Sequence, residues 1–331
     1  MQRILIIQTA FIGDAVLATG LVEKLHQHHP DAAIDILVRK GNEAMFQQHP
    51  FLHEVLIWQK QQNKYRHLWQ LLKQIRARKY DLVVNVQRFA ATGFLTAFSG
   101  AKMTVGFDKN PLSWMFTKTI KHRISTAEAP LHEYQRNHEL IAFCTDDQPA
   151  KPRLYPTVAD QAKVAPYAER PYVCIAPASV WFTKQFPVSK WIDLMQALPD
   201  HVQVYLIGAP SDKAMCDEMI AACSGQAITN LCGQFSFLAS AALMKGALMN
   251  YVNDSAPMHF ASSVDAPVTA VYCSTIPAFG FGPLSSQSHI IEVLTALDCR
   301  PCGLHGLKAC PKGHFNCAMQ IQTSQLLAVL S

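Results

Sequence analysis

The chain alternates between two patterns of apolar positions. Short continuous apolar runs, typical of buried strands, are followed by longer segments in which apolar residues recur every three or four positions, as on one face of a helix. In the first half, strands are predicted at 3–8, 34–38 and 81–86, and helices at 14–28 and 65–78. Strands that alternate with helices in this way predict βαβ units and a parallel sheet.

The same alternation begins again after a proline-rich stretch, residues 145–171, which we interpret as a linker. The helices of the second half are predicted to begin at Ser189, Ser211 and Ser236, whose hydroxyls can cap a helix N-terminus. The second set of predicted strands is 172–176, 202–208, 248–254 and 267–272. A chain of 331 residues is long enough for two such units, so we predict an α/β fold of two doubly wound domains. Ligands of such domains bind beyond the carboxyl ends of the strands.

Composition and charge narrow the functional class only slightly. The chain has 29 Lys and Arg against 24 Asp and Glu, a formal net charge of +5, which favours an anionic ligand or lipid surface and does not indicate nucleic acid. The first apolar run leads directly into Gly13 and Asp14 with no small-residue cleavage site, so it is predicted to be a strand and not a signal peptide. No apolar run approaches the roughly 18 residues of a membrane span. We therefore expect a soluble, cytoplasmic protein.

Asp14 stands where the first predicted strand ends and the first helix begins. The preceding Gly13 permits a tight turn and close approach of the backbone, and a carboxylate is favourable near a helix N-terminus. Two interpretations stay open: Asp14 takes part in acid–base chemistry, or it only caps the helix. The turn contains no G-x-G-x-x-G, so the usual NAD-binding signature is absent.

A second loop of interest, residues 176–187, follows the first strand of the second set. It presents Ser179, Thr183 and Lys184. A cation flanked by hydroxyls suits a phosphate group. The alternative is that Lys184 is an ordinary solvated surface charge.

A third loop, N-D-S-A-P-M-H at residues 253–259, follows the apolar strand 248–252. Ser255 and Ala256 are predicted to open a helix whose N–H groups face a phosphate, with His259 one turn further along. The alternative for His259 is a satisfied position in the core. The cluster of small and polar residues favours the binding interpretation.

The fourth feature is a Cys-rich tail with the spacing C-x2-C-x7-C-x6-C, formed by Cys299, Cys302, Cys310 and Cys317. In a cytosolic chain this spacing favours a tetrathiolate site for Zn or Fe, or reduced structural thiols, over two disulfides. His305 and His314 are candidate substitute ligands. The other six cysteines lie among apolar neighbours and are predicted to be buried thiols.

Taken together and in order, several short motifs resemble glycosyltransferase family 9, which includes the ADP-heptose:lipopolysaccharide heptosyltransferases, those of type II in particular. The matching words are G-D-A-V-L-A-T-G-L-V at 13–22, Y-D-L-V-V-N-V-Q at 80–87, G-A-K-M-T-V-G-F-D at 100–108, H-E-Y-Q-R-N at 132–137, T-K-Q-F-P at 183–187, I-G-A-P-S-D at 207–212, D-S-A-P-M-H at 254–259 and the Cys-rich end. The resemblance covers nearly the whole chain. The chain departs from the family's common D-T-G-x-x-H motif at Ser255 and Ala256, and from its K-R-W-P motif at Gln185 and Phe186.

The resemblance implies a GT-B fold, in which two Rossmann-like domains face each other across a cleft. Residues 1–160 would bind the acceptor, and residues 161–331, with the tail 299–317, would bind the nucleotide-sugar donor. The implied reaction is inverting transfer of heptose from ADP-L-glycero-β-D-manno-heptose to the Kdo–lipid A type inner core of lipopolysaccharide. The resemblance also implies that catalysis needs no cofactor and that the protein contacts the cytoplasmic face of the inner membrane peripherally. It implies no nucleic-acid partner.

The resemblance also assigns residues. Asp14 corresponds to the catalytic base and Lys184 to the group that holds the donor diphosphate. The donor set is Gly13, Ser179, Thr183, Gly208, Asp212, Asp254, Ser255, Ala256 and His259. The basic residues that would suit an anionic acceptor are Arg88, Lys102, Lys64 and Arg136, and each of these could equally be an ordinary surface charge.

Other functional classes stay open at this point. A family 9 relative could use another nucleotide sugar or a protein acceptor, and a non-catalytic nucleotide-sugar-binding protein would need Lys184 and the Asp254 loop without Asp14. A thioredoxin-like redox protein is disfavoured because Cys299 and Cys302 do not follow a first strand. No two aspartates are separated by one residue, so the Asp-x-Asp pair of many metal-dependent sugar-nucleotide enzymes is missing.

Overall fold

The computed structural model describes residues 1–60, 63–126 and 128–330, which form two compact units. The first comprises Met1–Ser125 and Leu131–Tyr155, and the second Thr126–Pro130 and Pro156–Ser331. Each unit is an α/β layer structure with its own core.

The first unit is built on a six-stranded, fully parallel sheet in the order β3-β2-β1-β4-β5-β6. Its strands are β1 Arg3–Ile7, β2 Ala33–Arg39, β3 Glu54–Trp58, β4 Leu82–Asn85, β5 Met103–Phe107 and β6 Lys118–Ile120. The central strand β1 is apolar on both faces, and Ile4 to Ile7 are completely buried. Such continuous apolar runs are expected where helices cover both faces of a sheet.

The helices of the first unit are α1 Ile12–Leu17, α2 Thr19–His28, α3 Lys64–Arg78, α4 Ala90–Ala97 and α5 Glu133–His138. The single helix predicted over 14–28 is therefore two helices that meet at Ala18. The Thr19 hydroxyl donates to the Val16 carbonyl at 2.7 Å and accepts the Arg153 N–H at 2.9 Å. Such back-bonding by a threonine bends a helix.

The second unit repeats the design with a parallel sheet in the order β12-β11-β10-β7-β8-β9. Its strands are β7 Tyr172–Ala176, β8 Gln203–Leu206, β9 Ile228–Asn230, β10 Met249–Asn253, β11 Val268–Tyr272 and β12 Ser288–Glu292. Its helices are α6 Val158–Val164, α7 Val188–Ala197, α8 Lys213–Ala221, α9 Phe237–Lys245, α10 Ala256–Ser263, α11 Asn316–Met319 and α12 Thr323–Leu327.

Of the three predicted serine caps, only Ser236 is confirmed: its hydroxyl accepts the Ala239 N–H at 3.1 Å. The predictions for Ser189 and Ser211 were wrong, because α7 begins after Pro187 and α8 begins after Asp212.

The proline-rich stretch is not a structureless linker. It contains α6, which begins with a capping box in which Thr157 and Asp160 accept each other's backbone N–H groups at 3.0 Å. The T-V-A-D word at 157–160 is the sequence signal for this helix. The expected domain boundary after residue 160 falls inside it, whereas the two units divide after Tyr155.

The two sheets share one strand order, 3-2-1-4-5-6, when the second is read from β9 to β12. In doubly wound sheets the ligand site lies at the switch point, where chain connections leave two adjacent strands in opposite directions. That point lies between β1 and β4 in the first unit and between β7 and β10 in the second. The α/β prediction is confirmed, and within the described residues no helix is both long and apolar enough to cross a bilayer.

Candidate active site

The central feature of the second unit is an ion pair at its switch point. Lys184 ends a single 3-10 turn after β7, and Asp254 directly follows β10. The Lys184 ammonium lies 2.6 Å from Asp254 Oδ2, and both side chains are largely buried. The Thr275 hydroxyl donates to the same oxygen at 2.7 Å. A cation fixed in this way beyond the sheet can bind the phosphates of a nucleotide.

The helix that begins beside this pair, α10, has Ser255 at its N-cap and Ala256 as its first residue. The Ser255 hydroxyl points to the Asn253 carbonyl at 3.4 Å and not to a helix N–H. The start of α10 offers fewer donors than expected, because Pro257 has no N–H and the Met258 N–H donates to the Ser255 carbonyl at 3.1 Å. The helix dipole still favours negative charge at this end of α10.

His259 is buried in α10, with its ring edge-on to Phe281 at a centroid distance of 6.3 Å. Burial of the ring is compatible with both interpretations that the sequence left open. A role of His259 in donor binding stays a prediction.

Asn253 and Thr183 hold the loop that carries Lys184 through hydrogen bonds. The Asn253 side chain accepts the Phe186 N–H and donates to the Pro177 carbonyl, both at 2.8 Å. Thr183 is buried, and its hydroxyl accepts the Leu307 N–H at 2.8 Å and the Ser274 hydroxyl at 3.0 Å. Thr183 is therefore buried, whereas the sequence analysis expected the loop to present its hydroxyl.

Three other residues predicted to bind the sugar-nucleotide donor, Ser179, Gly208 and Asp212, follow β7 and β8. The Gln185 amide donates to the Ser179 carbonyl at 2.6 Å, which closes the loop on itself. After β8, Asp212 Oδ2 accepts the Ala209 N–H at 2.8 Å. A Cβ on Gly208 would lie 2.7 Å from that oxygen, so a side chain cannot be placed there without a shift.

In the first unit, Asp14 occupies the first turn of α1, just after β1. The N-cap of α1 is Phe11 and its side chain makes no capping bond, so the interpretation of Asp14 as the N-cap was wrong. Gly13 is helical and is not among the described glycines with left-handed backbone. The tight turn expected at this residue does not form.

Arg136 is the basic residue that the fold brings to Asp14. It is buried on α5 and pairs with Glu133. Burial lowers the pKa of Arg136, and the charge of Asp14 opposes this effect. Arg136 is therefore a buried residue whose charge interacts with that of Asp14, and its role in acceptor binding stays a prediction.

The sequence analysis missed Lys60, which lies at the Thr9 carbonyl among other cations. Lys60 donates to that carbonyl at 2.6 Å. Its pKa is lowered to about 8 by burial and by the neighbouring charges of Arg39 and Lys64. Arg39 ends β2, which the sequence predicted, and Lys60 follows β3, which it did not. The rule that ligand-binding residues lie after strands would therefore have indicated Arg39 directly and Lys60 once β3 was recognised.

Arg88 and Lys102 lie at opposite ends of their strands. Arg88 follows β4, is exposed, and has its guanidinium carbon 5.7 Å from the ring centroid of Phe89. Lys102 precedes β5 and pairs with Asp81 at 2.7 Å, and Asp81 also accepts the N–H groups of Gln2 and Arg3 before and at the start of β1. Lys102 is therefore at the amino edge of the sheet and is not brought together with Asp14.

All ten cysteines are free thiols in this structure. Burial and the mutual interaction of the thiols raise the pKa of Cys302, and raise that of Cys317 to about 11. No three of the four tail sulfurs lie within 4.8 Å of one another, and the one such group of potential ligands in the described residues is Asp35, His53 and Glu54. The thiols are neighbours without a formed tetrahedral site, and His305 and His314 are exposed.

The Asp35 group is already internally paired. Asp35 accepts hydrogen bonds from the Tyr80 hydroxyl at 2.5 Å and is 2.9 Å from His53 Nδ1, and Glu54 forms a two-point pair with Arg78. These contacts occupy the oxygens that a metal would need.

Comparison with known proteins identifies the family. The family described as Glycosyltransferase family 9 (heptosyltransferase) matches residues 68–306. This chain belongs to glycosyltransferase family 9. Lipopolysaccharide heptosyltransferase 3 of Escherichia coli (strain K12) is 27% identical to this family 9 glycosyltransferase over 283 residues, which cover 81% of each chain.

Solved structures agree on the fold of the family 9 enzyme. A family 9 glycosyl transferase from Veillonella parvula DSM 2008 is 19% identical with a TM-score of 0.85 and covers 99% of this chain and 96% of its own. The E. coli ADP-heptose lps heptosyltransferase II is 21% identical with a TM-score of 0.78 and covers 100% and 98%. The iron-containing dodecameric glycosyltransferase TibC from enterotoxigenic E. coli H10407 is 14% identical with a TM-score of 0.55 and covers 99% and 74%. The chain thus has the GT-B fold expected from the sequence, and it is an enzyme of the glycosyltransferase class.

Proposed function

We propose that this glycosyltransferase transfers heptose, with inversion, from ADP-L-glycero-β-D-manno-heptose to the inner core of lipopolysaccharide. The observation that carries the proposal is the Lys184–Asp254 pair at the switch point of the second sheet, 2.6 Å between Nζ and Oδ2. It provides a fixed positive charge where a nucleotide diphosphate binds in doubly wound sheets. The names of the relatives support heptose as the sugar and lipopolysaccharide as the acceptor.

The proposed reaction is a single displacement. Asp14 removes the proton of an acceptor hydroxyl as that oxygen attacks the anomeric carbon of the heptose. The bond from the anomeric carbon to the diphosphate oxygen breaks, and ADP leaves with the electron pair. Lys184 and the N-terminus of α10 stabilise the charge that grows on the diphosphate, and Asp14 retains the proton. This step uses no metal ion and no cofactor.

We assign acceptor binding to cations beyond the carboxyl ends of the first sheet. Lys64 and Arg88 were predicted from the sequence, and Arg39 and Lys60 are added because Lys60 is held at the Thr9 carbonyl with Arg39 and Lys64 as charged neighbours. Because these side chains hold like charges close together, binding of an anion among them is favourable. The carboxylates and phosphates of an inner-core acceptor have the matching charge.

We also propose that the enzyme works in the cytoplasm at the inner face of the inner membrane, through a surface formed by α3 and α4. Helix α3 carries five Lys and Arg residues and no Asp or Glu. Tyr65 and Trp69 are four residues apart on this helix and largely exposed, and the Trp69 ring packs on Phe94, which in turn packs on the exposed Phe98. Aromatic rings flanked by cations suit the headgroup region of an anionic bilayer.

Sedimentation with vesicles tests this surface. We expect binding to vesicles of phosphatidylglycerol and phosphatidylethanolamine, weaker binding to phosphatidylcholine vesicles, and loss of binding in Trp69→Ser. Trp114→Ser is the matched control, since Trp114 is also exposed in the first unit. Equal binding by the two variants would contradict the assignment.

For the Cys-rich tail we propose one structural Zn or Fe ion bound by Cys299, Cys302, Cys310 and Cys317. The four thiols influence one another's pKa, as neighbouring groups do. A tetrahedral site requires the sulfurs to approach more closely than in this structure. The ion would hold the tail and take no part in sugar transfer.

Nucleotide release tests the proposed reaction. The enzyme is incubated separately with ADP-heptose, GDP-sugars and UDP-sugars, each with and without an inner-core acceptor that either lacks heptose or carries one heptose. We expect acceptor-dependent release of ADP alone. Release from a different sugar nucleotide would support another family 9 activity, and binding of ADP-heptose without any transfer would support the non-catalytic alternative.

A further inference from the structure

The Cys-rich tail makes contacts that neither the resemblance nor a metal site explains. We infer that residues 300–307, here called the brace, position the ammonium group of Lys184 for the donor diphosphate. The inference rests on the proposed role of Lys184 and assigns the brace residues a positioning role and not a chemical one.

Arg300 is the first part of the brace. Its guanidinium donates to the carbonyls of Cys273 and Thr275 at 2.7 and 2.8 Å and to that of Tyr272 at 3.2 Å, and it pairs with Glu292. One side chain therefore holds three carbonyl groups at the end of β11 and in the loop that follows it. A planar guanidinium with several fixed donors can do this, whereas a lysine cannot.

The loop held by Arg300 transmits its position to Lys184 through two hydrogen-bonded contacts. The Thr275 hydroxyl donates to Asp254 Oδ2 at 2.7 Å, and that oxygen lies 2.6 Å from Lys184 Nζ. Thr275 and Asp254 are buried. The position of the carboxylate, and hence of the ammonium, depends on where Arg300 holds the Thr275 backbone.

Leu307 is the second part of the brace and acts on the backbone beside Lys184. The Leu307 N–H donates to the Thr183 hydroxyl at 2.8 Å, and the Thr183 N–H donates to the Leu307 carbonyl at 3.1 Å. The Cys302 N–H donates to the Ser274 carbonyl at 3.0 Å. The brace is thus hydrogen-bonded both to the 3-10 turn that carries Lys184 and to the loop that holds Asp254.

Gly306 lies against the stem of Lys184 itself. A Cβ at this position would lie 2.9 Å from Lys184 Cγ and would overlap Trp181 Cβ. Gly306 has no left-handed φ, so an alanine here would move its neighbours without straining its own backbone. Lys184 is fixed from two sides, which suits a group whose charge must be in place before the leaving group departs.

The first experiment compares Gly306→Ala with Gly282→Ala. A Cβ on Gly282 has no atom within 4 Å, and its φ is also not left-handed. Binding of ADP and of AMP is measured by calorimetry, because only ADP carries the second phosphate that Lys184 would hold. We expect Gly306→Ala to weaken ADP binding about tenfold, equivalent to about 1.4 kcal/mol, and to change AMP binding less than twofold. Gly282→Ala should change neither.

The second experiment compares Thr275→Val with Thr275→Ser in the full-length protein. Valine removes the hydroxyl donor to Asp254, and serine retains it. We expect the valine variant to lose ADP affinity and kcat, each by roughly five- to tenfold, with an unchanged acceptor KM, and the serine variant to stay within twofold of the wild type. A merely structural role would lower the melting temperature and leave the ratio of ADP to AMP affinity unchanged.

The outcomes distinguish failure of the proposed role of Lys184 from failure of the brace alone. If the wild type binds ADP no better than AMP, the proposed role of Lys184 fails and the inference fails with it. If the wild type prefers ADP but Gly306→Ala and Thr275→Val retain that preference, the brace is overturned and the proposed function stands. A Gly306→Ala variant that does not fold leaves the Thr275 pair to decide.

Discussion

Lys184 Nζ lies 2.6 Å from Asp254 Oδ2, although the two residues belong to different loops, one after β7 and one after β10. The pair forms because these strands are adjacent at the centre of the second sheet. Both side chains are largely buried, so each charge needs the other when no ligand is bound. A donor diphosphate offers Lys184 a second anionic partner at the same place.

Replacement of Lys184 by glutamine should abolish most of the activity. Removing one preorganised positive group from the developing charge is expected to lower kcat by about 10²- to 10³-fold and to weaken ADP binding more than AMP binding. Initial rates of ADP release and calorimetry measure the two effects. Lys213→Gln is the control, since Lys213 forms an exposed pair with Asp217 after β8. A Lys184→Gln variant with wild-type kcat would remove Lys184 from the mechanism.

Replacement of Asp254 by asparagine should destabilise the second unit. It leaves a largely buried lysine without its charged partner, which we expect to cost about 2 kcal/mol because Lys184 is partly exposed. For a unit of this size the loss corresponds to a fall in melting temperature of roughly 4–8 °C. Asp217→Asn breaks a solvent-exposed ion pair and should lower the melting temperature much less. Equal shifts for both variants would show that burial of the Lys184 pair is not what stabilises it.

Asp14→Asn should separate binding from chemistry. General-base catalysis contributes about 10²- to 10⁴-fold, so kcat should fall in that range while ADP-heptose binding stays at the wild-type level. Rapid-quench assays and calorimetry measure the two quantities. Asp31→Asn, at an exposed position before β2, is the control. Unchanged turnover in Asp14→Asn would refute its assignment as the base.

The acceptor KM should depend on pH through Lys60. Burial and the charges of Arg39 and Lys64 lower the pKa of Lys60 to about 8. Lys60 is therefore positively charged below that pH and becomes neutral as the pH rises through it, so the acceptor KM should be constant at low pH and increase above about pH 8. Lys60→Arg, which stays charged, should remove the increase up to pH 10. The same increase in both proteins would assign the titration to another group.

Protein purified without chelator should contain about one Zn or Fe per chain. Removal of the metal should lower the melting temperature, and Cys310→Ser should prevent metal retention, whereas Cys223→Ser, outside the tail, should not. Elemental analysis and thermal unfolding give these results. A native protein that carries no metal and four free tail thiols would establish the reduced-thiol alternative.

Much of the candidate site could be predicted because it follows one rule of local sequence. Lys184, Asp254 and Asp14 each lie in the loop or the first helical turn that follows an apolar strand, and the carboxyl ends of parallel strands share one edge of a sheet. Lys102 could not be placed in this way: it precedes its strand, and its pairing with Asp81 at the opposite edge depends on strand order. Lys60 was missed because β3 has only a short apolar pattern, and its lowered pKa arises from burial and from the charge of Arg39 as well as from its neighbour Lys64.

The sequence by itself determined the two α/β halves, the loops that carry the charged residues and the family motifs, because these depend on periodicity and on short words of neighbouring residues. Only the tertiary structure decided which residues interact: Lys184 with Asp254, the charge of Arg136 with that of Asp14, and the tail with the loop after β11 through Arg300 and with the Lys184 turn through Leu307. Such partners lie tens to more than a hundred residues apart along the chain. Local pattern carries no information on their distance, whereas strand order and packing fix it.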